Sequence, residues 1–128
     1  MKALDHASLK AKIVDFNFNS CKIASLCYSM ILLELTEYTK LTTLDLSRTH
    51  LSSEASKSLH HLLCKTNSLI YLNLSATIQT NEIGRRVLNG LHANKTLQHL
   101  NLSCNKLNNN EKEFGSRIGR LLQVSTSI

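Results

Sequence analysis

Apolar residues return along this chain at a fixed interval. Leu97 opens the stretch LQHLNLSCNKL, which is apolar at its first, fourth, sixth and eleventh positions and carries Asn at its ninth. Stretches of the same design begin at Leu69, Leu41 and Ile13, each separated from the next by 28 residues. An interval held without drift means that one supersecondary unit is built several times, each copy burying its apolar side against its neighbours.

The content of the unit follows from its two periodicities. Its first part alternates apolar and polar residues, as a strand does: Ile13, Phe16, Phe18 and Ile23 in the first copy, Leu41, Leu44, Leu46 and Leu51 in the second. Its second part repeats at helical spacing: Leu26, Met30, Ile31 and Leu35, then Leu59, Leu62 and Leu63, then Ile83, Val87, Leu88 and Leu91. Ser52 or Ser53 caps the second of these helices, with Glu54 in its first turn. The third copy, beginning Leu69, Leu72, Leu74, has Gln79 where an apolar residue is expected and Ile78 beside it, which predicts an altered turn. In the fourth, a polar loop at 108–113 with about three extra residues brings Phe114, Ile118 and Leu122 into register and makes Ile128 the start of a fifth strand. Residues 1–12 read as a half-repeat capping the open end, followed by repeats 13–40, 41–68, 69–96 and 97–127 in one domain. Reaching the threshold of another repeat at Ile128 leaves two expectations, a natural cap or a fragment of a longer protein.

Strand followed by helix in one sheet makes a right-handed parallel crossover, so the expected architecture is a short right-handed α/β solenoid, with a parallel concave sheet and convex helices. On these motifs the chain resembles the leucine-rich repeat superfamily. The interval, with Cys21, Thr49, Thr77 and Asn105 at the unit's ninth position, is most similar to the ribonuclease-inhibitor-like subclass, which also includes repeat domains of intracellular receptors and short bacterial effector-type proteins. The resemblance implies binding of another protein on the concave sheet, as an inhibitor or modulator of a partner enzyme or as a bacterial effector, without cofactor. The alternative is a repeat fragment of a larger intracellular receptor or sensor.

Composition narrows the rest. The longest aliphatic run, Met30 to Leu33, is too short to span a bilayer, and no signal-peptide pattern opens the chain, so a soluble, cytoplasmic protein with reduced cysteines is expected, acting in a host cell if it is an effector. The formal charge of +6 raises nucleic acid as a partner. Yet Lys40, Lys57, Lys65, Arg85, Arg86, Lys95, Arg117 and Arg120 fall in helical halves or the turns after them, which disfavours phosphate binding by the sheet.

With Leu44 and Leu46 inward, alternate residues face the concave side in three columns. Asn17, Asp45, Asn73 and Asn101 form one, and Asn19, Ser47, Ser75 and Ser103 another; both are nearly monotonous, as a repeat's own backbone requires. Asp15, Thr43, Tyr71 and His99 form the variable third. Tyr71 is the first candidate for partner contact and Arg48 at a strand end the second, followed by His99 and then Asp15, Thr43, Asp45, Asn73 and Asn101. Four strands of about four residues offer about 250–300 Å² against about 800 Å² per side for a standard interface. A partner must therefore also touch the strand-to-helix loops, where Lys22, His50, Ile78 and Lys106 line up.

Sharper chemistry finds little to stand on. His60 and Cys64 have ligand spacing on a helix, with His61 adjacent, but a third metal ligand would have to be imported. Cys104 and His99 are close in sequence but belong to different faces, and Gly84, Gly90, Gly115 and Gly119 form no phosphate loop. No enzyme activity is expected. The N-x-S/T triplets at Asn73, Asn94 and Asn101, two of them the repeat's own N-L-S, are set aside without a secretory signal.

Overall fold

The computed structural model describes residues 14–20, 22, 24–105 and 126–127. Strands β1 (Asp15–Asn17), β2 (Thr43–Asp45), β3 (Tyr71–Asn73), β4 (His99–Asn101) and β5 (Thr126–Ser127) form one parallel sheet in sequence order. Helices α1 (Ser25–Leu35), α2 (Ser53–Lys65) and α3 (Asn81–Ala93) occupy the crossovers between the first four strands. Asp15 lies beside Thr43, Thr43 beside Tyr71, and Tyr71 beside His99, so the interval of 28 is the lateral register of the sheet.

Alternation along each strand decides which residues meet the helices. Leu44, Leu72 and Leu100 are buried at the strand centres, in one core with Leu32, Leu59, Leu62, Leu63, Val87 and Leu91. Hydroxyls at the strand approaches stitch the units together: Ser68 Oγ donates to the Leu41 carbonyl and Thr96 Oγ1 to that of Leu69, both at 2.6 Å. Helix starts follow the capping rules at α2 and α3, where Ser52 accepts from the Ala55 amide and Thr80 from that of Ile83. Helix α1 begins at Ala24, with no side-chain cap. At the β1 edge, Phe16 stacks on Phe18 with ring centroids 5.4 Å apart and meets Tyr38 edge-on at 5.5 Å.

The expected solenoid of four leucine-rich repeats, the last with a longer loop, is corrected by this architecture. The molecule is a small α/β domain in which, among the described residues, three unlike helices back a sheet of four three-residue strands and a two-residue fifth. Helix α1 has 11 residues and is apolar on almost every side, whereas α2 and α3 have 13 and are amphipathic. The last crossover abandons the interval: Thr126 pairs with Leu100, a separation of 26, so the fifth strand precedes Ile128 rather than starting there. The proposed capping half-repeat at 1–12, the 108–113 loop, Phe114, Ile118, Leu122 and Ile128 lie outside the described residues.

One local expectation changes and another holds. In α1 the buried stripe is Tyr28, Leu32 and Leu35, while Leu26 and Met30 are 69% and 61% exposed, because a helix apolar all round gives periodicity nothing with which to set its phase. In the third unit Ile78 is fully buried and Gln79 half-buried, so the altered turn advances the core residue by one position.

Candidate functional site

The open face of the sheet carries most of the residues nominated from the sequence. Asp15, Thr43, Tyr71 and His99 are lateral neighbours across β1 to β4; Asp15 and His99 are exposed, Thr43 and Tyr71 half-buried. Tyr71 is thus only partly accessible on this face. The strands have three residues rather than about four, so the flat area is smaller than the expected one.

The next column is laterally aligned as expected, and its side chains are engaged within the chain. Asn17 Oδ1 accepts from the Asn19 amide at 2.8 Å, Asp45 Oδ1 from Ser47 at 2.9 Å, Asn73 Oδ1 from Ser75 at 3.0 Å and Asn101 Oδ1 from Ser103 at 2.9 Å. Each closes an Asx turn as the chain leaves the strand. The hydroxyls of Ser47 and Ser103 add second bonds, at 2.6 Å, to Asp45 and Asn101. The turn then needs a residue in the left-handed region, and Ser20, Arg48, Ala76 and Cys104 supply it at φ of 59°, 58°, 53° and 60°. None is glycine, so each turn carries a side chain at a position costing about 1–2 kcal/mol.

Arg48 therefore belongs to the turn row and not to the Tyr71 column. It is exposed and lines a cleft at the ends of β1 and β2, away from the variable column. The residues after these turns carry a burden that the sequence only hinted at. Asn105 Oδ1 accepts from the Thr77 amide at 2.7 Å and the Ile78 amide at 2.6 Å, while its Nδ2 donates to the Leu74 and Leu102 carbonyls at 2.8 and 2.9 Å. Thr77 Oγ1 reaches back to the Leu46 carbonyl at 3.1 Å, and buried Thr49 donates to that same carbonyl while bonding the Tyr28 hydroxyl at 2.8 Å.

Other polar candidates are also engaged in holding the fold. His60 Nδ1 donates to the Arg86 carbonyl at 3.2 Å, which leaves Nε2 as acceptor for Cys64 Sγ at 3.6 Å. Among the described residues no group of three metal-ligating side chains converges there or elsewhere. Arg86 clamps α3 to the start of α2, donating to the Ser53 carbonyl and the Ser56 hydroxyl and pairing with Glu82 at 3.0 Å. Asn94 Oδ1 accepts from Thr96 and Leu97, so the side-chain oxygens of Asn73, Asn94 and Asn101 all serve the backbone. Cys27, Cys64 and Cys104 are free and exposed. Among the described residues no helix is long and apolar enough to cross a membrane.

No protein-family model matches the chain, and neither does any curated protein sequence. Solved structures do. The tropomodulin C-terminal domain of Caenorhabditis elegans superimposes with a TM-score of 0.76 at 15% identity, covering 98% of this chain and 83% of that one. The actin-binding site 2 of leiomodin-1 superimposes with a TM-score of 0.69 at 18% identity, covering 96% and 77% respectively. The fold is that of these domains. The expected ribonuclease-inhibitor-like leucine-rich repeat assignment, and with it the bacterial effector-type and enzyme-inhibitor descriptions, is corrected accordingly: the repeated leucines specify the parallel register that this fold also uses, and do not single out that subclass.

Proposed function

We propose that this domain is a non-catalytic, intracellular protein-binding module whose open sheet face contacts the partner through Tyr71 and His99, with Asp15 and Thr43 alongside. The observation that carries the reading is the division of labour on that face. The Asp45, Asn73 and Asn101 column is consumed by Asx turns, whereas the Asp15, Thr43, Tyr71, His99 column changes in chemistry at every strand. A large amphipathic ring held half-buried on a rigid sheet loses little entropy on docking, which is why Tyr is favoured in binding hot spots.

Actin is the first partner to test, because a solved structure of this fold is an actin-binding site of leiomodin-1. Cosedimentation with filamentous actin and gel filtration with monomeric actin cover both assembly states. Tyr71→Ala combined with His99→Ala is expected to weaken binding about tenfold or more while circular dichroism stays native. Binding of the double variant at wild-type strength would exclude the sheet face. Absence of wild-type binding to either form would exclude actin.

A further inference from the structure

The sheet face cannot complete an interface by itself, and the cleft that Arg48 lines, at the ends of β1 and β2, is a second surface with a chemistry of its own. It has a volume of about 540 Å³. Its floor is the buried hydrogen-bonded pair Tyr28 and Thr49, and its rim carries Lys22, Arg48 and His50, all exposed. Among the described residues none of these three side chains is held by an acidic partner; the ion pairs found are Lys57 with Glu54 and Arg86 with Glu82. Asp15 and Asp45 are not in the lining. The start of α1 reaches the rim at Ala24, which supplies no side-chain cap, so the positive end of that helix dipole adds to the same field.

Basic residues stand on two adjacent turns only at the first two, Lys22 after β1 and Arg48 with His50 after β2, whereas Lys106 of the fourth turn is separated from them by the third. At the places equivalent to Arg48 and His50, the third turn has Ala76 and Ile78, and Ile78 is fully buried. The turn geometry itself, with its left-handed residue, is common to all four. Fold requirements therefore explain the shape of the turns and leave the Lys, Arg and His unexplained.

We propose that this cleft docks an acidic segment of the protein partner, a short run of Asp or Glu side chains, in addition to the contact made by the sheet face. The proposal rests on the protein-binding reading and names the partner chemistry for it. Two permanent cations and an imidazole around an open cleft complement several carboxylates at once, and a peptide strand lying there adds the area that the three-residue strands lack.

The test uses the whole chain and a fluorescein-labelled decapeptide of alternating Glu and Asp, with its Gln and Asn counterpart as control, read by fluorescence anisotropy. The acidic peptide is expected to bind saturably and the neutral one not at all. The Lys22→Gln, Arg48→Gln, His50→Gln variant should weaken binding about tenfold, and a Lys65→Gln, Arg85→Gln, Lys95→Gln variant on the helical side should stay within about twofold. Equal loss in the two variants would reduce the effect to net charge and overturn the site. So would displacement of the peptide by inorganic phosphate at lower concentration than by unlabelled peptide, which would make the cleft a small-anion site, and so would the absence of saturable binding. Since no actin enters this assay, its failure is separate from failure of the partner proposed above.

Discussion

Replacing Asn105 by Ala removes four hydrogen bonds at one stroke. The amides of Thr77 and Ile78 lose their acceptor and the carbonyls of Leu74 and Leu102 lose a donor; those four residues are at most 1% exposed. A neutral hydrogen bond contributes about 0.5–1.5 kcal/mol net, and a buried group left unpaired costs about 1–3 kcal/mol. Asn105 itself is half-buried, so water relieves part of the loss, and the expected destabilisation is about 3 kcal/mol. In urea, with a slope of about 1–3 kcal/mol per molar, the midpoint falls by about 1–3 M at unchanged slope. Asn105→Asp separates the two halves of the bridge, because it keeps an acceptor for the amides but turns an oxygen toward the two carbonyls. It should be at least as damaging as Ala. Hydrogen exchange of the Ile78 amide should accelerate more than that of the Leu44 amide in the Ala variant, which removes its acceptor. A loss below about 0.5 kcal/mol for Asn105→Ala, within the range of an ordinary surface substitution, would refute the reasoning.

Other positions make opposite demands. A Cβ at Gly90 would lie 3.1 Å from Leu63 Cδ1, 3.2 Å from Leu63 Cβ and 3.3 Å from His60 Cα, so Gly90→Ala forces α2 and α3 apart. Overpacking costs about 1–3 kcal/mol against the roughly 1 kcal/mol that Ala gains in a helix; the thermal midpoint should drop, and a rise would show that the helices separate freely. Ala76, at φ of 53°, is the converse case. Relief of the left-handed penalty of about 1–2 kcal/mol exceeds the entropy cost of glycine, about 0.5–1 kcal/mol, so Ala76→Gly should raise stability by roughly 0.5–1 kcal/mol in the same urea titration, and a lowered midpoint would show that the Ala76 methyl contributes packing worth more than the strain.

Sequence reading reached the sheet because two independent constraints agree there. Alternation puts Leu44, Leu72 and Leu100 on one face, and a slip of one residue would expose all three, so the constant interval leaves a single register. It failed where one of those constraints is missing. In SLCYSMILLEL the apolar residues cover nearly every side, and packing against α2, not periodicity, selects Tyr28, Leu32 and Leu35 for burial. The likeness in fold to the tropomodulin and leiomodin-1 domains was not legible for a related reason. Leucines report the register and the turn chemistry, and the unequal helices do not follow from either.

The candidate site shows the same split between what repeats and what does not. The pattern Asp or Asn, any residue, Ser or Asn recurs as Asn17 to Asn19, Asp45 to Ser47, Asn73 to Ser75 and Asn101 to Ser103, and it is an Asx-turn signature visible without coordinates. Its presence argues that Asp45, Asn73 and Asn101 are poor choices for partner contact, since withdrawing any of those oxygens would release a turn. On the proposed reading, recognition is left to side chains that the turn does not need, and those are unevenly distributed: an aromatic and an imidazole on β3 and β4, and cations at the ends of β1 and β2. A partner that engages both must lie diagonally across the domain. Its acidic portion then fixes the orientation, because the opposite placement would set carboxylates against Asp15 and leave Lys22 and Arg48 unmatched.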